Sequence, residues 1–349
     1  QELAKLHRSK LNAKIIAITG SNGKTTSKEL IYSVLSQKFN TVSTIGNLNN
    51  HIGVPLSILS LSTETEIGII EMGANHLNEI KFLCEIANPQ IGYITNFGKA
   101  HLEGFGSKIS IIKGKSELYN YLKETNGLAI INGNDKKQLK LTQKNKRFIF
   151  GNNEKADLNI TPKNVNSNKI ILRYNNFDFE SNMVGSYNAS NVSVAIAFGL
   201  FFKIPKKIIM HGLKKYSPIN NRSQWLKKGS NLILMDAYNA NPSSMNASID
   251  AFIENTKKNR IIILGDMEEL GKYSKSEHQK IANKLQKIDI ELLILIGKKF
   301  SEVDYEKNNF KKFNNSEDAS KFLNNKKWHN KNFLLKGSRK NKLEEIIKF

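Results

Sequence analysis

The stretch KIIAITGSNGKTTSKEL occupies residues 14–30. Its apolar run Ile15-Ile16-Ala17-Ile18 reads as a buried strand, and Gly20-Ser21-Asn22-Gly23-Lys24-Thr25-Thr26 breaks that run before a helical pattern begins. A strand feeding a glycine-rich turn and a helix N-terminus presents free backbone N–H groups and the positive end of the helix dipole, which suits phosphate. The general phosphate-loop spelling puts its first glycine five residues before the Gly-Lys pair, a position held here by Ile18. The physics survives that departure. Gly20 and Gly23 permit positive φ and close backbone approach. Lys24 supplies a charge for terminal phosphates, and the Thr25 hydroxyl can bind Mg²⁺. Residues 20–26 are therefore expected to hold nucleotide phosphate.

Composition bounds the alternatives. At 349 residues the chain can build two or more cored domains. Its 39% hydrophobic content fits a globular protein, and no apolar run reaches the ~18 residues of a membrane span. No secretory leader is apparent, and the single cysteine, Cys84, allows no disulfide framework, so a reducing cytoplasm is the expected compartment. Cys84 falls in a helical apolar pattern with Ile80, Leu83 and Ala87, which reads as core. The net charge of +22 would suit a nucleic-acid binder. However, the lysines are dispersed among asparagines, arginine is scarce, and neither zinc-finger spacing nor an RNA-binding aromatic signature is present. A solvated basic surface is expected, with no nucleic-acid partner and no membrane insertion.

The chain reads as two α/β blocks joined near Tyr216–Asn221, where Pro218 and the asparagines interrupt the periodicity. The first has strand-like runs at 15–19, 67–72, 91–95, 128–132 and 147–150, with helical patterns between several of them. That alternation predicts a mostly parallel sheet. Residues 157–184 predict an antiparallel extension, and a helix is expected from about Asn188 to Phe202. The second block repeats the alternation, with strands in NLILMDAY, RIIILGDM, IELLILIG and KNFLLKG. Helical patterns are expected near 243–255, 276–287, 317–323 and 341–347. This second block reads as a doubly wound Rossmann-like unit. The expected division is a lead-in at 1–12, an ATP-binding domain at 13–218 and a C-terminal domain at 219–349.

In such sheets ligands bind beyond the carboxyl ends of the strands. Glu71 ends one run and Asn96 and His101 follow the next, so a carboxylate and an imidazole can share a metal beside the phosphate turn. Asp236, Tyr238, Asn239, Asp266 and the Lys336–Arg339 segment end strands of the second block.

With these residues in place the chain resembles the Mur ligases, ATP-dependent amino-acid-adding enzymes of peptidoglycan precursor synthesis. The resemblance is carried, in order, by TGSNGKTT (19–26), GNLNNHIGVP (46–55), EMGANHLNEI (71–80), AHLEGFGS (100–107), DAYNANPSSM (236–245), GDMEELG (265–271) and KGSR (336–339). The DAYNANPSSM, GNLNN and KGSR segments resemble the branch that joins D-alanyl-D-alanine to UDP-N-acetylmuramoyl-tripeptide. The family pattern also has an N-terminal domain for the UDP moiety. Since the phosphate turn begins at about residue 19, the sequence is expected to cover only the central and C-terminal domains.

The resemblance implies ATP and Mg²⁺ as cofactors and a role for each matching residue. Gly20, Ser21, Asn22, Gly23, Lys24, Thr25 and Thr26 would hold ATP phosphate. Thr25, Glu71 and His101 would hold magnesium, and Lys115, in KGKSELY, would join them as a carbamate. Asn188 and Asn191 would lie on the adenine side. Arg222 would reach phosphate as the domains close. Asp236 would face the ribose, with Tyr238 and Asn239 beside the nucleotide. Lys24, His101, Lys115 and Arg222 are the implied catalytic set. Asn47, Asn49 and Asn50 would face the muramoyl peptide, and Asp266, Lys336, Ser338 and Arg339 the dipeptide. A monomer is expected. Two rival readings are a folylpolyglutamate synthetase, which would share the ATP turn, and a basic nucleic-acid binder.

Overall fold

A computed structural model describes residues 1–165, 169–218 and 221–347. Residues 219 and 220, on which the expected linker and domain boundary fall, lie outside the described residues. The first sheet contains β1 (Lys14–Thr19), β2 (Thr41–Ser43), β3 (Ile67–Glu71), β4 (Ile91–Ile94), β5 (Leu128–Asn132), β6 (Lys146–Gly151) and β7 (Leu158–Asn159). All are parallel, in the order β2-β3-β1-β4-β5-β6-β7. From β1 the strand order runs both ways, to β3 on one side and β4 on the other. That reversal leaves a crevice at the C-terminal end of β1, where the phosphate turn emerges.

Burial on both faces explains why β1 is a continuous apolar run and shows no alternation. Ile16 and Ile18 pack with Leu30, Ile31 and Val34 of the helix Lys24–Leu35 and with Val192 and Val194 of the helix Ala189–Phe201. Ile15 and Ala17 face the opposite layer, with Ile80, Leu83 and Leu118. Each fully buried isoleucine contributes roughly 1.5–3 kcal/mol, so β1 is firmly held beneath its loop. Cys84 is buried in the same layer, beside the Met72 sulfur at 3.8 Å.

Three antiparallel strands, β8 (Thr161–Asn164), β9 (Ile170–Tyr174) and β10 (Phe177–Ser181), form a small sheet packed over the Ile16 face. The expected antiparallel extension of 157–184 therefore begins later, because Leu158–Asn159 pairs in parallel with β6.

The third sheet has the order β11-β12-β16-β13-β14-β15. Its strands are β11 (Gln224–Lys228), β12 (Asn231–Asp236), β13 (Arg260–Gly265), β14 (Leu292–Ile296), β15 (Phe310–Phe313) and β16 (Asn332–Lys336). Only β11, at the edge, is antiparallel. The short edge strands β2, β11 and β15 carry no continuous apolar run and escape a hydrophobicity reading. The helix expected at 341–347 is instead two short 3₁₀ turns, Arg339–Asn341 and Leu343–Glu345, separated by Lys342 at φ 46°. A left-handed residue cannot continue a right-handed helix.

Candidate active site

A cavity of about 1170 Å³ lies between the first and third sheets. Its floor is the phosphate turn, held rigidly from one side by the loop after β4. Ser21 donates its backbone N–H to Asn96 O at 3.0 Å and its hydroxyl to Gly98 O at 2.8 Å. Thr95 Oγ1 and Asn96 Nδ2 both donate to Asn22 O, at 2.6 and 2.9 Å. Gly20 has φ 137°, and a Cβ there would sit 1.9 Å from Thr95 Oγ1; Gly23 has φ 79°, and its Cβ would meet Asn191 Oδ1 at 2.7 Å. The two glycines thus meet both requirements read from the sequence.

Ser21, Asn22, Gly23, Lys24, Thr25 and Thr26 all line the cavity, while Gly20 is not part of its wall. Lys24 donates to Gly20 O at 2.7 Å and folds back over its own loop. Burial draws its pKa below the ordinary lysine value, with Arg222 acting the same way and Glu71 and Glu269 opposing. Asn188 and Asn191 line the cavity beside the turn. Asn191 receives the Ser27 hydroxyl at 2.9 Å and donates to Asn188 Oδ1 at 2.9 Å. This pair fastens the start of the helix Ala189–Phe201 to the phosphate helix.

Glu71 and His101 line the same cavity. Register places Glu71 next to Ile18, two residues before Gly20 opens the turn. Its Oε1 accepts the Asn49 amide at 2.7 Å, whereas Oε2 is buried without a hydrogen-bond partner, 3.9 Å from the Lys28 ammonium. A buried carboxylate oxygen left unsatisfied is the kind of atom a cation completes. Among the described residues no three His, Cys, Asp or Glu side chains gather into a metal cluster. The donors present fit Mg²⁺ held by one or two protein oxygens, Thr25 included, with phosphate and water completing the shell.

Lys115 does not line the cavity. It is 0% exposed, donates to Ala74 O at 3.2 Å, and lies 5.3 Å from the Phe105 ring centroid. Ala74 itself lines the cavity, so Lys115 stands behind the wall. Burial, reinforced by the Lys24 charge, pushes its pKa well below the ordinary lysine value.

On the opposite wall Arg222 stacks on Tyr238 with its guanidinium carbon 3.5 Å from the ring centroid, and the Arg339 guanidinium carbon lies 5.5 Å from the same ring. Arg222, Tyr238, Asn239, Asp236 and Lys336 line the cavity. β12 and β16 place Asp236 opposite Lys336, and the two form an ion pair at 2.9 Å in which Lys336 is buried and Asp236 partly so. Asp236 also accepts the Ser223 N–H at 3.1 Å, and Ser223 accepts the Tyr187 hydroxyl at 2.5 Å.

Asn47, Asn49 and Asn50 reach the far end of the cavity. Asn50 spends its side-chain oxygen on the N–H groups of Ile52 and Gly53, at 3.0 and 2.9 Å, and so caps the next helix. Asp266, Ser338 and Arg339, expected at the dipeptide, are not part of the cavity wall. The Asp266 carboxylate accepts the Lys299 and Phe300 N–H groups at 3.0 and 2.9 Å, because the strand ends just where the short helix Lys298–Ser301 needs an acceptor. Ser338 Oγ receives the Glu268 N–H at 3.1 Å.

Several site residues had no assigned part in the sequence reading. Asn241 donates to Asn22 Oδ1 at 2.7 Å, joining the second block to the phosphate turn. Glu269 enters the cavity and its carboxylate contacts the imidazole of His101. Both belong to the quoted DAYNANPSSM and GDMEELG segments, which was the available signal. Lys28, fully buried at the back of the site, offered none.

Comparison with known proteins agrees with this arrangement. The Mur ligase middle domain matches residues 18–199, and the Mur ligase glutamate ligase domain matches 221–339. A UDP-N-acetylmuramoyl-tripeptide–D-alanyl-D-alanine ligase from Buchnera aphidicola is 37% identical over 352 residues, covering 97% of this chain and 77% of the relative. MurF from Acinetobacter baumannii superposes with a TM-score of 0.88 at 30% identity, covering 99% of this chain and 78% of that one. MurF from Thermotoga maritima, solved with ADP, gives 0.86 at 26% identity over 99% and 81%. With both domain models matched and the phosphate turn, strand-end carboxylate and second-domain wall meeting in one cavity, the chain belongs to the Mur ligase family.

Proposed function

We propose that this chain carries out the ATP-dependent joining of D-alanyl-D-alanine to UDP-N-acetylmuramoyl-tripeptide. The observation that carries the reading is the single cavity that holds the phosphate turn, Glu71 and the GNLNN loop on one side and the DAYNANPSSM wall on the other. The relatives bearing that activity in their names support the substrate choice. A folylpolyglutamate synthetase would share the phosphate turn but has no reason to carry GNLNN and DAYNANPSSM together.

The chemistry proceeds in two steps. An oxygen of the peptide carboxylate attacks the γ-phosphorus of ATP, and ADP leaves. The free amine of the dipeptide then attacks the acyl carbon of that acyl phosphate. The amine loses a proton and inorganic phosphate departs. Both steps crowd anions together, so Lys24 and Arg222 stabilise them electrostatically. Thr25 and Glu71, with His101 beside them, would hold Mg²⁺, which would supply further charge neutralisation. The site can shelter the acyl phosphate from water because Asn22–Asn241 and Glu269–His101 close the two walls on each other.

Lys115 fits a carbamate. CO₂ reacts with a neutral amine, and burial keeps this one neutral more readily than an exposed lysine. The product would be an anionic oxygen ligand on the metal side of Ala74.

The test is product formation. With Mg-ATP, UDP-N-acetylmuramoyl-tripeptide and D-alanyl-D-alanine, mass spectrometry should show one dipeptide added per phosphate released, and nothing when any component is omitted. Ligation of glutamate to a folate instead, or tight salt-sensitive DNA binding without nucleotide affinity, would overturn the reading.

A further inference from the structure

Lys28 lies one helical turn beyond Lys24 on the helix Lys24–Leu35 and is 0% exposed. A buried ammonium is costly unless its three donors are met. Here Nζ donates to Thr44 O and to Gly46 O, the latter at 3.3 Å, and pairs with Glu29 Oε1 at 3.0 Å. The fourth neighbour is Glu71, whose Oε2 is 3.9 Å away.

Thr44 and Gly46 begin the loop that carries Asn47, Asn49 and Asn50. That loop returns to Glu71 at its other end, since Asn49 donates its amide to Glu71 Oε1 at 2.7 Å and accepts the Gly73 N–H at 2.7 Å. Thr44 closes the figure by accepting the Glu71 N–H on its hydroxyl at 3.0 Å. Lys28, the loop and Glu71 thus form a ring that ties the phosphate helix, the acceptor-side loop and the end of β3 together. A lysine that only filled the core would not have two backbone carbonyls of this one loop as acceptors.

We propose that Lys28 is a positioning residue. It holds loop 44–50 in the conformation that presents Asn47 and Asn49 to the acceptor, and it couples that loop to the helix beneath the ATP phosphates. The inference rests on the reading that the acceptor is the muramoyl peptide at that loop. It separates Lys28 from Lys24: Lys24 serves the nucleotide, Lys28 the acceptor.

The experiment compares Lys28→Met, Gly46→Ala and the double variant with the parent chain. Gly46 is at φ 56° with open space around a Cβ, so alanine strains only the backbone and shifts the carbonyl that Lys28 grips, without threatening the core. Each single variant should raise the KM for the UDP-muramoyl tripeptide about tenfold while the KM for ATP stays within about twofold, the scale expected for lost charge-assisted hydrogen bonds. The double variant should be no worse than the poorer single one, because both act through one contact. Hydrogen exchange at residues 44–50, measured with nucleotide and no acceptor, should quicken at least about tenfold.

Parallel rises in both KM values, additive effects, or unchanged exchange would overturn the proposal. If Lys28→Met fails to fold, Gly46→Ala decides alone, and an unchanged acceptor KM refutes the role. The exchange measurement needs no acceptor, so it separates an error about Lys28 from an error about the reaction.

Discussion

The imidazole of His101, at the C-terminal edge of the first sheet, rests against the carboxylate of Glu269 from the third sheet's β13 loop. The contact is reinforced by the Glu103 N–H, which donates to Glu269 O at 3.0 Å. Both residues are left-handed, at φ 54° and 61°, a conformation that costs free energy for non-glycine residues and persists where the surroundings impose it. The His101 side chain holds the Glu269 carboxyl below the usual range against the opposing effect of burial. A carboxylate from one block therefore orients an imidazole of the other.

Glu269→Gln keeps the shape and removes the charge. It is expected to lower kcat/KM about 10- to 100-fold, the range seen when a carboxylate orienting a metal-binding histidine is lost. The apparent Mg²⁺ requirement should rise with it. Steady-state kinetics across a magnesium series checks this, and an unaltered magnesium dependence would show that the pair only closes the domains.

Lys24→Ala should abolish acyl-phosphate formation, a loss of at least about 10²–10³ in kcat. Among the described residues its ammonium donates to Gly20 O alone, so the thermal midpoint should hardly move. Wild-type turnover in this variant would remove Lys24 from the phosphate site.

Gly23→Ala tests the turn itself. A Cβ there meets Asn191 Oδ1 at 2.7 Å and the backbone is left-handed, which costs about 1–2 kcal/mol. At about 1.4 kcal/mol per decade that weakens ATP binding roughly tenfold. Calorimetric titration with a non-hydrolysable ATP analogue reads it directly; unchanged affinity would mean that the loop does not close on phosphate.

Lys115→Ala should cripple ligation, and a short carboxylic acid in solution should restore part of it by supplying the missing oxygen. The pH sign follows from the amine. Carbamate forms on the neutral amine, so occupancy and activity fall as acidification protonates Lys115, and bicarbonate restores them. Because burial depresses this pKa, the loss lies well below the range where an ordinary lysine protonates. Activity indifferent to bicarbonate, with no mass gain on Lys115, would defeat the carbamate.

The sequence by itself determined the architecture of the nucleotide half. A run as apolar as Ile15–Ile18 has to be buried on both faces, and a strand so buried followed by Gly20 and Gly23 has few folds open to it. The strand-end residues Glu71, His101, Asp236 and Tyr238 were legible for the same reason: in parallel sheets, chain order alone puts them at one edge. Tertiary structure decided what those side chains do once there. Asp266 reads like Asp236 as a strand-end carboxylate, yet one caps the helix Lys298–Ser301 while the other lines the cavity beside Lys336. Nothing in the sequence around Lys28 marks it, yet it is wholly buried, because the loop that encloses it is brought in by the pairing of β2 with β3. Such outcomes depend on residues distant in the chain meeting at a few ångströms. Local periodicity carries no record of those meetings, since charge and hydrogen-bond partners are assigned only when the sheets pack.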